Sequence, residues 1–230
     1  MPQIGDLFAK LGQGQTLSVG EIETLRLETN NIQGITASIS KYLDPAGGLT
    51  IPGSWTMLGD KTLVASAADI TLDKIPNRYR HLRLIARLRS DRADTGESVG
   101  MRFNGDTGNN YYSCRARWAN DGAGGLTVVS SERFADSFMS LTGAVGANAP
   151  ANVFGVVDYT IVDYAATASN KSICSYGGNT KTVISGGQEL ELASGTWAST
   201  AAIVSILLYP AAGGTVWVAN SRATLYGLAD

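Results

Sequence analysis

The chain has 230 residues, of which 44% are hydrophobic and 17% charged, so it is long and apolar enough to bury a sizeable core. Its 18 Lys and Arg residues against 20 Asp and Glu residues give a net charge of -2 without a basic block, which argues against nucleic acid as a partner. One His and two Cys without CxxC spacing argue against a zinc site, and we expect no metal and no cofactor.

The first 45 residues predict a helical N-terminal arm. Ser18 and Glu21 have capping-box spacing at the start of a helix. Behind them, apolar or Thr residues recur at 3-4-3-4 spacing, which is a heptad seam over three repeats. The seam consists of Ile22, Leu25, Thr29, Ile32, Thr36, Ile39 and Leu43. Pro45 and the glycines after it end the helix, so we divide the chain into an arm (1–45) and a β-domain (46–230).

The seam leaves two interpretations open. The arm is either an amphipathic helix that lies on its own domain or a coil that associates with other copies. Ile at the second seam position of successive heptads favours three or four strands, so the sharper hypothesis is a threefold bundle. Its oligomerisation residues would be Ile22, Leu25, Ile32, Ile39 and Leu43.

The two ends of the sequence give no targeting signal. The start, MPQIGDLFAK, lacks a basic region followed by an apolar core. The longest apolar stretch, residues 201–209, is far shorter than the roughly 20 residues that a membrane span requires. We therefore expect neither secretion nor membrane insertion, and we expect Cys114 and Cys174 to be reduced thiols in a protein assembled in the cytoplasm.

From about residue 49 the hydrophobic period changes to two, and short runs alternate with Gly, Asn, Asp and Ser clusters. Strong strand predictions are 80–89, 153–164, 202–209 and 215–219. Weaker ones are 51–57, 62–72, 98–103, 111–118, 125–131, 138–142, 181–184, 188–193 and 222–226. Ten or more strands without a helical pattern between them favour a mainly β fold, a jelly-roll-like β-sandwich that carries the α-helical arm.

Two stretches of the β-domain contain a distinctive set of residues. The first, residues 75–112, contains Tyr79-Arg80-His81-Leu82, a strand to Arg89, and the turn RFNGDTG (102–108) followed by Tyr111. The second is SRATLYGLAD (221–230). The first stretch resembles a module of tailed-bacteriophage structural proteins, and the second is similar to the last strand of those proteins. Together they cover about a quarter of the chain and bracket most of the β-domain.

The resemblance implies a virion component with a jelly-roll-like domain, commonly a homotrimer, in contact with other capsid or tail proteins. A capsid decoration protein, a head fibre and a tail-associated protein all fit. Localisation would be the virion, after assembly in the host cytoplasm. The alternative is a receptor-binding module that recognises a host surface glycan.

Catalysis has little support in the sequence, and we expect a protein that is not an enzyme. A Ser-His-Asp hydrolase needs a His, and His81 is the sole one, flanked by Arg80 and Arg83, whose charges disfavour protonation. A His that satisfies a backbone hydrogen bond is the simpler interpretation. A polysaccharide depolymerase would need two facing carboxylates, and no pattern selects a pair.

Three further groups of residues have a functional and a structural interpretation. The turn from Asn104 to Asn110 offers oxygen atoms as calcium loops do, but it lacks the final bidentate acid and fits a Gly-rich hairpin turn better. The aromatic residues could contact a glycan or anchor the core. Arginines on two strands could meet an acidic neighbour or pair with local acids. The glycan candidates are Tyr111, Tyr112, Trp118 and Trp197, and the arginines are Arg83, Arg87, Arg89, Arg115 and Arg117.

Overall fold

The computed structural model describes residues 54–120, 126–180 and 188–229, which lie within one unit, Gly53–Asp230. All regular secondary structure in these ranges is β-strand. The helical arm, its five proposed oligomerisation residues and the strand predicted at 181–184 lie outside the described residues.

Twelve strands follow one another along the described chain. They are β1 (Trp55–Thr62), β2 (Ile70–Leu72), β3 (His81–Leu88), β4 (Gly96–Phe103), β5 (Tyr111–Asn120), β6 (Leu126–Asp136), β7 (Met139–Val145), β8 (Gly155–Val162), β9 (Lys171–Thr180), β10 (Gln188–Trp197), β11 (Ile206–Pro210) and β12 (Arg222–Leu228).

The strands form two antiparallel sheets. The larger has the order β1-β12-β3-β8-β9-β10-β5-β6, and the smaller has the order β2-β11-β4-β7. Buried residues from both sheets make a single apolar core, which includes Phe103, Tyr111, Tyr159 and Trp217. The expected mainly β, two-sheet sandwich is therefore confirmed for the described residues.

β3 shows how the sequence pattern produces one side of this core. Its Leu82, Leu84 and Leu88 are fully buried, whereas Arg83 and Arg87 alternate with them and point away from the core. The period-two alternation predicts this arrangement, because successive side chains of a strand lie on opposite faces. The alternation is also present in β8, where Val157, Tyr159 and Ile161 are buried.

A glycine makes room for a core side chain where β7 crosses β10. A Cβ atom placed on Gly195 would lie 2.3 Å from the Met139 sulfur, and Met139 is fully buried. Glycine at 195 therefore lets the methionine side chain fill the space over the backbone of β10. The two layers are thus in direct contact at this crossing.

Two strand predictions differ from the structure, and one strand was not predicted. The segment 215–219 is not a strand: Trp217 forms only isolated bridges to Ala67 and Ser90, and its buried indole donates to the Leu208 carbonyl. Within 62–72 only Ile70–Leu72 is a separate strand, although the end of β1 reaches Thr62. β9 was not predicted, because its Ser, Gly and Asn residues are typical of turns and the neighbouring strands supply its hydrogen bonds.

Candidate functional site

The outward side of the large sheet is the most unusual surface of the described chain. On β9, β10 and β5, none of the described residues that point outward is charged. We call these twelve side chains the uncharged patch. They are Ser172, Cys174, Tyr176, Gly178, Leu190, Leu192, Ser194, Thr196, Tyr112, Cys114, Ala116 and Trp118. The solvated face of an antiparallel sheet ordinarily carries polar and charged side chains, so this surface requires an explanation.

β10 has its polarity reversed. Leu190 and Leu192 are 54% and 48% exposed, whereas Glu191, between them on the opposite face, is 3% exposed. A register shift of one residue would bury the two leucines and expose the glutamates to solvent. The sheet is held in the observed register by polar partners on the inner side. A hydrogen bond from the Gly143 N–H reaches Glu191, and Arg117 forms an ion pair of 3.2 Å with Glu189.

Neighbouring strands extend the apolar surface. Val156 on β8 is 48% exposed, Tyr176 on β9 is 53% exposed and Val128 on β6 is 58% exposed. The pairing of the strands places Val156, Gly178, Leu190, Trp118 and Val128 in one row across five strands. Exposed apolar side chains scattered singly are normal, but a contiguous set of this kind marks an interaction surface.

Opposite charges flank the uncharged patch. On one side, the Arg83 guanidinium of β3 binds Asp158 through Nε at 2.9 Å from Oδ2, and the Tyr176 hydroxyl donates to the same oxygen at 3.0 Å. On the other side, the edge strand β6 presents Glu132 next to Cys114. The surface is therefore neutral in its middle, with the Arg83–Asp158 ion pair at one end and Glu132 at the other.

The five predicted arginines do not form one surface. Arg83 and Arg87 point outward from β3, whereas Arg115 and Arg117 point to the opposite side of the large sheet from the uncharged patch. The Arg89 guanidinium donates to the carbonyls of residues 147, 149, 150 and 153 and ties that loop to the sheet. The interpretation of local pairing is supported for Arg83 and Arg117, which bind Asp158 and Glu189.

The structure divides the four glycan candidates into two pairs. Tyr111 and Trp197 are 0% and 2% exposed and lie among core side chains, with their rings stacked at 6.4 Å between centroids. Their burial leaves neither ring face open to a sugar, so these two are corrected to core anchors. Tyr112 is 40% exposed and Trp118 partly exposed, and both belong to the uncharged patch.

The turn that resembled a calcium loop is built around Asp106. Its Oδ1 accepts the Gly108 N–H, and its Oδ2 accepts Asn110 Nδ2 and the Trp197 indole N–H at 3.0 and 2.7 Å. These hydrogen bonds, that from Asn110 foremost, lower the pKa of Asp106. Asn104 and Gly105 have positive φ, as expected in a tight hairpin turn. The carboxylate thus has a structural role in joining the turn to β10.

The remaining reactive groups are dispersed. The His81 Nδ1 atom accepts the Asp163 backbone N–H at 3.1 Å, as expected for a His that satisfies a backbone group. Cys114 and Cys174 are free, exposed thiols. Within the described ranges, no cluster of three or more His, Cys, Asp or Glu side chains is arranged to hold a metal ion. The same ranges contain no helix of the length and apolarity that a membrane crossing requires.

Comparison of this chain with known protein families, with curated proteins and with solved structures gives no match.

Sequence reasoning identified Tyr112 and Trp118 on this surface but missed Tyr176, Leu190, Leu192 and Val156. The segment QELEL (188–192) alternates in the expected way, and period alone cannot tell which of its two faces is buried. The useful signal lies in the partner strand β5, where Arg115 and Arg117 alternate with Cys114, Ala116 and Trp118. Basic residues on one strand and acidic residues on the next indicate that the polar faces of β5 and β10 coincide.

Proposed function

We propose that this chain is a structural protein of a tailed-bacteriophage particle that acts by homo-oligomeric assembly and by docking on other virion proteins. The observation that carries the proposal is the outward exposure of Leu190 and Leu192 in a neutral sheet face, while the glutamates of the same strand are turned inward. A protein whose task is contact with other proteins needs such a face, and burial of apolar area is the main driving force of association.

The order of the strands supports a jelly-roll-like form of the sandwich. Along the chain, β1 lies in the large sheet, β2 in the small one, β3 in the large one and β4 in the small one. β5 and β6 then lie in the large sheet, β7 in the small one, β8 to β10 in the large one, β11 in the small one and β12 in the large one. The chain thus changes repeatedly from one layer to the other. In this proposal β2-β11-β4-β7 is one four-stranded sheet of the jelly roll. The other is β3-β8-β5-β6, enlarged by the inserted pair β9–β10 and by β1 and β12 at one edge.

The proposal assigns the chain no enzymatic role. The carboxylates with assigned partners serve structure: Glu97, for example, accepts the N–H groups of Ala212 and Gly214. The arm would contribute a threefold bundle through Ile22, Leu25, Ile32, Ile39 and Leu43, and the β-domain would form the rigid body that the arm attaches to the particle. Whether the particle site is the head or the tail is left open by this proposal.

Immunogold electron microscopy of particles from the source phage, with an antibody raised against the purified full chain, tests the assignment. The proposal predicts gold at a fixed site on intact virions. Particles without label, combined with label in the soluble fraction of infected cells alone, would contradict it. Particles treated with pre-immune serum are the control.

A receptor-binding module for a host surface glycan is the second candidate, because the exposed Tyr112 ring lies beside Thr196 and because Tyr176 and Trp118 lie further along the same face. A glycan array with the intact chain separates the two functions. Binding of one glycan class that is lost in Tyr112→Ala and kept in Tyr79→Phe, a change in the core, would favour the receptor module. An array without signal would favour the mechanical role.

A further inference from the structure

We propose that the outward side of β3, β8, β9, β10, β5 and β6 packs against the same face of a second copy of this chain. The two copies would be related by a twofold axis that runs parallel to the strands between β9 and β10. This inference goes beyond the proposed function, because it names the surface, the partner and the symmetry of one contact. It is also independent of the threefold bundle predicted for the arm.

The partner must itself be neutral and apolar where it meets the uncharged patch. A charged side chain placed against Leu190, Leu192 and Trp118 would lose its water without gaining a counter-ion, which is strongly disfavoured. A second copy presents the same uncharged patch and therefore satisfies this condition. An isologous contact requires a surface that is complementary to itself, and the residues of this face can be examined for that property.

The proposed axis pairs each strand with a defined strand of the second copy. β9 would oppose β10, β8 would oppose β5, and β3 would oppose β6. One row of outward side chains crosses all six strands: Arg83, Thr160, Cys174, Ser194, Cys114 and Glu132. Because the axis runs along the strands, this row would face itself in the reverse order. Arg83 of each copy would then lie opposite Glu132 of the other, so a guanidinium that already binds Asp158 would gain a second carboxylate partner.

The shapes in the neighbouring rows also match. In the row Val156, Gly178, Leu190, Trp118, the same axis sets the side chain of Leu190 over Gly178 of the second copy and Val156 over Trp118. In the row between, Tyr176 faces Leu192. At these central positions a large side chain would meet a glycine, and apolar groups would meet apolar groups, as in the interdigitated layer between two packed sheets. At the rim, Arg87 would lie opposite Val128, where its guanidinium can stay in water.

The face is also large enough for a specific contact. Six strands at about 4.8 Å spacing span about 24 Å, and four rows of outward residues extend over about 20 Å. Two copies would therefore exclude water from flat areas that total on the order of 1,000 Å², which is near the lower limit for a biological interface.

Cross-linking of the full chain through one native thiol tests the inference. Thr160 lies on β8 and would oppose Cys114 on β5 of the second copy, so the variant Thr160→Cys/Cys174→Ser carries two symmetry-related reactive pairs across the interface. Within one chain, positions 160 and 114 are three strand spacings apart, about 14 Å, which a short bismaleimide does not bridge. The matched control is Cys174→Ser alone, in which Cys114 of one copy would also lie at least about 14 Å from Cys114 of the other.

The inference predicts a covalent dimer on a denaturing gel for Thr160→Cys/Cys174→Ser and monomer for Cys174→Ser. Adding Leu192→Lys should abolish the dimer, whereas Val64→Lys, a change at a 98% exposed residue outside this face, should not. In the unaltered chain, Cys114 and Cys174 should react with iodoacetamide at least about tenfold more slowly than in the Leu192→Lys chain.

Each failure has a distinct meaning. Monomer on the gel and rapid alkylation of both thiols, with a larger species in light scattering, would overturn the twofold contact and leave assembly through another surface. Monomer on the gel, rapid alkylation of both thiols and a monomer mass in light scattering would together overturn this contact and the homo-oligomeric part of the proposed function. If the thiols react slowly and adding one glycan from the array changes that rate, the face would be assigned to a glycan, and the contact would likewise be overturned.

Discussion

Single residues in this chain link parts that are distant in sequence, and Asp106 is the clearest case. It joins the turn after β4 to Trp197 at the end of β10, through hydrogen bonds from Gly108, Asn110 and the indole. The sequence predicts the turn from its Asn-Gly and Asp residues. It does not predict the indole contact, because Trp197 is 91 residues away and its rotamer depends on the packed core.

The lowered pKa of Asp106 gives a pH-dependent prediction. A carboxyl whose pKa is lower in the folded state stabilises the fold above its unfolded pKa of about 3.9, and this contribution is lost as pH falls through the folded value. Asp106→Asn should lower the free energy of unfolding at pH 7 by about 1–3 kcal/mol. Its stability should also change less between pH 5 and pH 3 than that of the unaltered chain.

Urea denaturation at pH 7, 5 and 3 measures both effects, and Asp73→Asn, at an exposed residue, is the matched control. Equal acid sensitivity of the Asp106→Asn variant and the unaltered chain would show that this carboxylate does not contribute. Asp60 and Asp91 also have lowered pKa values, from hydrogen bonds to Arg222 and Thr215 respectively, so some acid sensitivity should persist in the variant.

At the scale of elements, the sequence predicted strand positions better than strand faces. Alternation located β3, β8 and most other strands, because one face of each is apolar and the other polar. For β10 the same alternation misleads, since Leu190 and Leu192 point outward and Glu191 points inward. The choice of face depends on Gly143 and Arg117, which lie in other strands, and a single strand contains no information about such partners.

The contact of β7 with β10 predicts an energetic coupling between two residues. Gly195→Ala should destabilise the chain by about 1–3 kcal/mol, because the new methyl group overlaps the Met139 side chain. Met139→Ala should also destabilise it by about 2–5 kcal/mol, through the cavity left in the core. Combined, the two changes should cost less than the sum of the single changes, since the alanine at 195 fills part of that cavity.

Chemical denaturation of the two single variants and the double variant provides this cycle. Strict additivity would mean that the sheets do not approach each other here as described. Gly59→Ala is a suitable control for glycine in a strand, because its added Cβ would meet only Leu72 Cδ2, at an ordinary contact distance of 3.6 Å.

For the whole molecule, two surfaces are proposed for association, and they make separable predictions. Composition and period gave the two-sheet sandwich, because the apolar faces of the strands have to be buried against each other. They did not give the outward apolar face, which appears only when strands from distant parts of the chain are placed side by side. The arm residues Ile32 and Ile39 were assigned to a threefold bundle from their spacing alone.

Ile32→Asp/Ile39→Asp should lower the mass of the oligomer by removing association through the arm, since charges in a packed seam are strongly disfavoured. The expected residual species is the twofold dimer held by the outward face of the large sheet. Analytical ultracentrifugation measures the change, with Thr29→Ser/Thr36→Ser as a conservative seam control. If the distribution is the same as in the unaltered chain, the β-domain alone carries association.

The central claim is that a second copy of this chain covers the neutral, leucine-bearing face of the large sheet. The most direct test is the mass of the full chain in solution, measured by light scattering from low to high micromolar concentration for the unaltered chain and for Leu190→Lys/Leu192→Lys. We predict an oligomer for the unaltered chain and a smaller species with an unchanged β-sheet circular dichroism spectrum for the variant. A monomer at every concentration, or an oligomer that both lysines leave intact, would contradict the claim.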